Sequence, residues 1–214
     1  MRALITQRET ADRYGELTDV LEARYTQYFF RLGVRVQPVS NFLPDRGAAL
    51  AEEFEALILT GGGDLPGRFY REARGPSGQP HRDETERLLI EWFQAQGRPI
   101  LAICRGMQYI NGLRGGKITR LEDLRTPRPV RVNHPVEVMG EEWLVNQYHN
   151  DGIFLPDLAP GLEALAVDRE NGVVEAFTAP GERILALQWH PERPFSDRRT
   201  EEKTRALICG FLGV

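Results

Sequence analysis

The chain has 214 residues, 41% of them hydrophobic and 27% charged, with a formal net charge of −4. That length and balance suit one α/β domain over residues 1–214 with a sizeable core, and they exclude a disordered or fibrous chain. The 27 basic and 31 acidic residues form no basic block or arm, and no apolar run approaches the length of a bilayer span, so neither nucleic acid nor a membrane is an expected partner.

Apolar runs alternate with amphipathic stretches, which predicts an α/β fold with a mainly parallel sheet. Residues 3–6 form the first strand. Leu17, Val20, Leu21, Tyr25, Tyr28, Phe29 and Leu32 then share one helical face, predicting a helix that Gly33 ends. Strands follow at 34–39 and 56–60, the second running into Gly61-Gly62-Gly63. Residues 67–79 are the loosest stretch and read as a loop over the site. A helix over 81–96 turns Leu88, Leu89, Trp92 and Phe93 inward. A strand at 99–103 and a helix at 106–113 come next. The second half holds short strands at 130–138, 143–145, 162–167, 173–178 and 184–188, separated by Gly, Pro and Asp. A helix over 200–212 closes the chain.

Cys104 stands where the strand at 99–103 meets a helix. Such a turn pushes the side chain outward and aims the next amides at one spot, as in the serine nucleophile elbow. The helix N-terminus favours thiolate over thiol there. Cys209, in an apolar stretch of the last helix, reads as a core cysteine. Two cysteines are too few for a disulfide framework, and the N-terminus lacks the apolar centre of a signal peptide, so a reducing cytoplasm is the expected compartment.

The run Gln188–Glu192 reads QWHPE. His190 can take the thiol proton and hand it to a leaving amine, while Glu192 holds the imidazole tautomer. His149, in the polar segment 145–151, competes as the base. The four histidines and two cysteines show no ligand spacing, so no metal is expected. Gly61-Gly62-Gly63-Asp64 lacks the spacing of a nucleotide loop, and no cofactor is expected. It reads better as an oxyanion hole, with a glycine amide of the loop and the Arg105 amide as donors. Gln7 and Arg8 follow the first strand at the end that borders the crevice of an open α/β sheet, which makes them candidates for substrate contact.

LTGGGD at 59–64, RDETE at 82–86, PILAICRGMQYINGLRGGKI at 99–118, VNQYH at 145–149, NGVVEAF at 171–177 and LQWHPE at 187–192 together resemble the class I glutamine amidotransferase-like hydrolases, within them the γ-glutamyl-γ-aminobutyrate hydrolase (peptidase C26) group. The resemblance implies a three-layer flavodoxin-like fold with a mainly parallel central sheet and a small antiparallel sheet. It implies Cys104 as nucleophile, His190 as base and Glu192 as the third member, acting on a small-molecule γ-glutamyl substrate. It implies Gly62 or Gly63 as the glycine that joins Arg105 in the oxyanion hole. It places Gln108 against the glutamyl moiety, and Asn146 and His149 in the substrate-binding segment. That segment reads NQYHND here, where the family commonly has NSxHHQ, and Leu65-Pro66-Gly67 follows the glycine loop. These departures bear on the leaving amine: γ-aminobutyrate or a bulkier amine, including a nucleotide-linked amidate. A glutaminase subunit feeding a partner synthetase and a non-catalytic binding module stand as alternatives. A homodimer is left open as the assembly.

Overall fold

The computed structural model describes residues 1–42, 51–72, 75, 78–121 and 132–214. In chain order the elements are β1 (Arg2–Ile5), β2 (Arg8–Ala11), β3 (Leu17–Val20), α1 (Ala23–Arg31), β4 (Arg35–Pro38), β5 (Ala56–Leu59), α2 (Pro80–Ala95), β6 (Ile100–Ile103), α3 (Arg105–Leu113), β7 (Thr119–Arg120), β8 (Asn133–Val138), β9 (Glu141–Asn146), β10 (Asp151–Phe154), β11 (Glu163–Asp168), β12 (Val173–Thr178), β13 (Ile184–Leu187) and α4 (Arg198–Leu212). Single 3-10 turns lie at Gly67–Phe69 and Leu155–Asp157.

The main sheet runs β4-β1-β5-β6-β13-β12-β11-β8-β9, with β10 and β7 branching from β12. From β4 to β13 every pairing is parallel, and from β12 onward every pairing is antiparallel. All four residues of β5, of β6 and of β13 are buried. This follows from helices covering both faces, and it explains why those strands are unbroken apolar runs. Alternation along each strand feeds two cores. Leu57, Leu59, Ile100 and Ala102 pack with Leu89, Ile90 and Phe93 of α2 and Met107 and Ile110 of α3. Ala56, Ile58, Leu101 and Ile103 pack with Tyr25 and Phe29 of α1 and Ile208 and Leu212 of α4. The result is a three-layer α/β/α architecture with the sheet in the middle. The small antiparallel sheet is the β2–β3 hairpin.

The hairpin corrects the reading of one helix from residue 17 to 32. Leu17 and Val20 are in β3 and partly exposed, and the helix starts at Ala23. Asp12 decides this. Its Oδ1 accepts the Tyr14 and Glu16 amides at 2.8 and 3.0 Å and closes a turn that folds β3 back on β2. The leucine and valine spacing fits a helical face by coincidence. Cys209 is only half-buried on α4, not a core residue. Of the loose stretch at 67–79, residues 73, 74, 76 and 77 lie outside the described residues. Its last member, Gln79, is buried. Of the strand predicted at 130–138, residues 130 and 131 also lie outside; the strand itself is β8. No helix among the described residues is long and apolar enough to cross a membrane.

Candidate active site

The carboxyl ends of β1, β5, β6 and β13 point the same way, and at that end the sheet opens into a cavity of about 460 Å³. This is where open α/β sheets bind ligands, and the volume suits a small molecule.

Cys104 caps the N-terminus of α3 with φ 53 and ψ −104. That is a region L-residues avoid, and it stores strain. Neighbours hold it there. The Cys104 amide donates to the Leu187 carbonyl at 2.7 Å, and its carbonyl accepts the Gln108 amide at 3.1 Å. A Cβ on Gly106 would stand 2.6 Å from Leu59 Cβ, so only glycine lets α3 pack this closely on β5. Arg105 is the first residue of α3, where amides lack intrahelical acceptors, so its N–H is available to the cavity.

His190 follows β13. Its Nδ1 is 2.6 Å from Glu192 Oε1, and its Cε1 edge and Cys104 Cβ meet beside Gly61. Burial works against the imidazolium, but the Cys104 sulfur and the Glu192 carboxylate outweigh it, and the His190 pKa is pushed up to about 10. Asn146 fixes the backbone at this point. Its Oδ1 accepts the His190 amide at 2.9 Å and its Nδ2 donates to the His190 carbonyl at 2.9 Å. Asn146 therefore positions His190 and does not line the cavity.

Gly62 and Gly63 have φ of 84 and 86, so a side chain there would be strained. Gln79 presses on Gly63 so closely that a Cβ would overlap its amide. The loop carbonyls are taken up from below. Arg82 Nη1 donates to the Gly62 carbonyl at 2.7 Å and Nη2 to the Thr60 carbonyl at 2.7 Å. Arg82 Nε and Arg105 Nη1 both donate to Glu86, at 2.7 and 2.6 Å. Arg105 also pairs with Asp83, and Glu86 accepts from the Thr6 hydroxyl at 2.8 Å. Burial opposes the charge on Glu86, yet Arg82 and Arg105 hold its carboxyl below the usual range. This network was missed in the sequence, where 82–86 reads as the polar start of a helix.

The remaining candidates separate. Arg8, Gly62, Gly63, Gln108 and His149 line the cavity with Cys104, Arg105 and His190. Gln108 Nε2 donates to the Asp151 carbonyl at 2.8 Å and to Gln188 Oε1 at 3.0 Å. Gln7 is elsewhere: its Nε2 donates to the Val39 carbonyl at 3.0 Å and ties β1 to the end of β4. His149 faces Glu175 at 3.7 Å, with Nδ1 2.9 Å from the Asp151 carbonyl. Burial, ahead of the opposing pull of Glu175, pushes its pKa down. The histidine that meets Cys104 beside Gly61 is His190. Tyr25 was also missed as a site residue. Its hydroxyl accepts the Gly61 amide at 2.9 Å. A Cβ on Gly61 would lie 2.8 Å from His190 Cε1, 3.2 Å from the Tyr25 hydroxyl and 3.3 Å from Cys104 Cβ, so four residues converge on one point.

Comparison with known proteins gives the chain its fold relatives and its family. The crystal structure of a glutamine amidotransferase from Thermotoga maritima matches the fold with a TM-score of 0.65 at 16% identity, over 99% of this chain and 96% of that one. Protein NtpR of Enterococcus hirae is 32% identical over 193 residues, 78% of each chain. The γ-glutamyl-CDP-amidate hydrolase of Campylobacter jejuni is 32% identical over 140 residues, 65% of this chain and 62% of that protein. The family model for peptidase C26 matches residues 3–192, a span that contains the cysteine turn, the glycine loop and the histidine–carboxylate pair, and the chain belongs to the peptidase C26 family of glutamine amidotransferase-like proteins.

Proposed function

We propose that this protein is a cysteine hydrolase that cleaves the γ-glutamyl amide bond of a small-molecule conjugate. The observation that carries this reading is the meeting of Cys104, at a strained strand-to-helix turn, with the His190 ring beside the glycine loop, and the 2.6 Å contact of His190 Nδ1 with Glu192. The relative from Campylobacter jejuni supports a γ-glutamyl amide as the bond class.

In the first half-reaction the Cys104 sulfur attacks the γ-carbonyl carbon. The oxygen becomes an oxyanion facing the amides of the glycine loop and Arg105. His190, as imidazolium, gives its proton to the amide nitrogen. The C–N bond breaks, and the free amine leaves a γ-glutamyl thioester. Water then adds to the thioester carbon and yields a proton to His190. The C–S bond breaks, and glutamate and the Cys104 thiolate are released. Glu192 keeps the His190 ring in one orientation throughout and stabilises its charge. The test is release of free glutamate from γ-glutamyl conjugates by the purified protein, with Cys104→Ala as control. Release by the intact protein alone and none by the variant supports hydrolysis. Glutamine turnover that requires an added synthetase would replace it with the glutaminase-subunit reading.

A further inference from the structure

The rim of the cavity carries three arginines besides the buried Arg105. Two of them are engaged. Arg193 Nη2 bonds Glu22 at 2.6 Å and its guanidinium lies 4.4 Å over the Tyr148 ring. Arg120 lies 3.6 Å from Asp151. Arg8 differs. Its residue is exposed, and its side chain forms no ion pair or hydrogen bond among the described residues. Asp64 also borders the cavity and makes no ion pair with it. Arg8 nevertheless lies against the glycine loop: Cδ and Nη1 are 3.4 and 3.5 Å from the point where a Gly62 Cβ would stand.

The backbone under Arg8 is fixed. It pairs with Val20 across the hairpin. The next residue, Glu9, turns the opposite way and is buried. Its amide donates to Gln79 Oε1 at 3.0 Å, and its carboxylate accepts the His81 and Arg82 amides at 3.0 and 3.1 Å at the start of α2. Strand alternation then leaves Arg8 facing the cavity. A guanidinium held over a site without a protein partner is a receptor for an anion.

The strand order says which half of the substrate it meets. Arg8 follows β1 and Gly62 follows β5, on one side of Cys104; Gln188 follows β13, on the other, and Gln108 is bonded to it. A γ-glutamyl amide attacked by Cys104 extends two ways, along the glutamyl chain and along the amine. The amine must lie against His190, which protonates it. A Cβ on Gly61 would meet both the Cε1 edge of that ring and the Tyr25 hydroxyl, and the next residue, Gly62, is the one Arg8 lies against. We infer that Arg8 determines specificity for the leaving group, binding a carboxylate or phosphate carried by the departing amine. The substrates are then γ-glutamyl conjugates of anionic amines. This rests on the reading of Cys104 as the nucleophile toward γ-glutamyl amides.

The experiment compares kcat/KM for γ-glutamyl ethylamide, γ-glutamyl-β-alanine and γ-glutamyl-O-phosphoethanolamine in the intact protein, Arg8→Lys, Arg8→Ala and Arg8→Glu. The intact protein prefers one or both charged conjugates over the neutral one by about tenfold or more, and whichever leads identifies carboxylate or phosphate. The charged-to-neutral ratio falls about tenfold or more in Arg8→Ala and further in Arg8→Glu, chiefly through KM, with partial recovery in Arg8→Lys. A ratio that stays the same in all four proteins, or no charge preference in the intact protein, overturns the assignment of Arg8 while glutamate release leaves the hydrolase reading standing. No glutamate release from any conjugate by the folded intact protein overturns both.

Discussion

Beneath the glycine loop, charges are buried and matched; at the mouth of the same cavity they are exposed and loosely paired. Arg82, Glu86 and Arg105 are at most 1% exposed, and each guanidinium is shared between a carboxylate and loop carbonyls. Around the mouth, Arg193–Glu22 and Arg120–Asp151 are partly exposed pairs, and Arg8 has none among the described residues. Buried pairs are costly to break because the orphaned charge cannot reach water, whereas exposed pairs contribute little to folding. The floor can therefore hold geometry, and the mouth is free to vary with the substrate. The comparison assigns chemistry to one region and selectivity to the other.

The largest expected effect falls on the floor. Cys104→Ala should lower glutamate release by on the order of 10⁴-fold or more while leaving the unfolding transition in place. Measurable turnover in that variant would break the assignment of chemistry to this turn. Glu192→Gln should cost on the order of 10²-fold or more in kcat. It should also change the pH profile. The His190 pKa lies above the ordinary 6.5, so the stabilising charge is fully present below that value and is lost as pH rises through about 10. Activity that needs the imidazolium declines over the same range, and without the Glu192 charge the decline should move to lower pH. An unshifted alkaline limb would remove Glu192 from the account.

Next in size is the network below the loop. Glu86→Gln strands Arg82, leaves Arg105 only Asp83, and should destabilise the fold by about 3–5 kcal/mol, read from the denaturant midpoint. The folded carboxyl titrates below its ordinary value, so the stability Glu86 supplies is present above pH 4.5 and fades as pH falls through the lowered value. A change as small as that of a surface pair would erase the contrast between floor and mouth. Smallest is Asn146→Ala. It removes two hydrogen bonds to the His190 backbone and should lower kcat about tenfold with KM little changed. A KM effect instead would return Asn146 to the substrate.

Much of this was legible from residues. The buried strands announce themselves as short apolar runs such as Ile100–Ile103, and the strand-to-helix turn at Cys104 and the His190–Glu192 pair within QWHPE are also visible in sequence. What escaped depends on distant partners. Leu17 and Val20 fit a helical face until Asp12 closes the hairpin. RDETE at 82–86 marks the family in sequence, but its buried ion pairs depend on Arg105, 19 residues beyond Glu86, turning back onto that carboxylate. Asn146 looks like a substrate contact because nothing local shows that it clasps a backbone 44 residues away.

The strained backbone at Cys104 has a consequence for anyone who would make this protein sturdier. Glycine is the residue best suited to a φ of 53 with ψ −104. Relief of that conformation is worth about 1–3 kcal/mol, more than the roughly 0.5–1 kcal/mol that glycine forfeits in chain entropy. Cys104→Gly should therefore melt above Cys104→Ala, a difference that calorimetry of the two variants can read. A screen for thermal robustness blind to turnover would be drawn to glycine at position 104 and would return a hardier protein without the thiol that the proposed reaction needs.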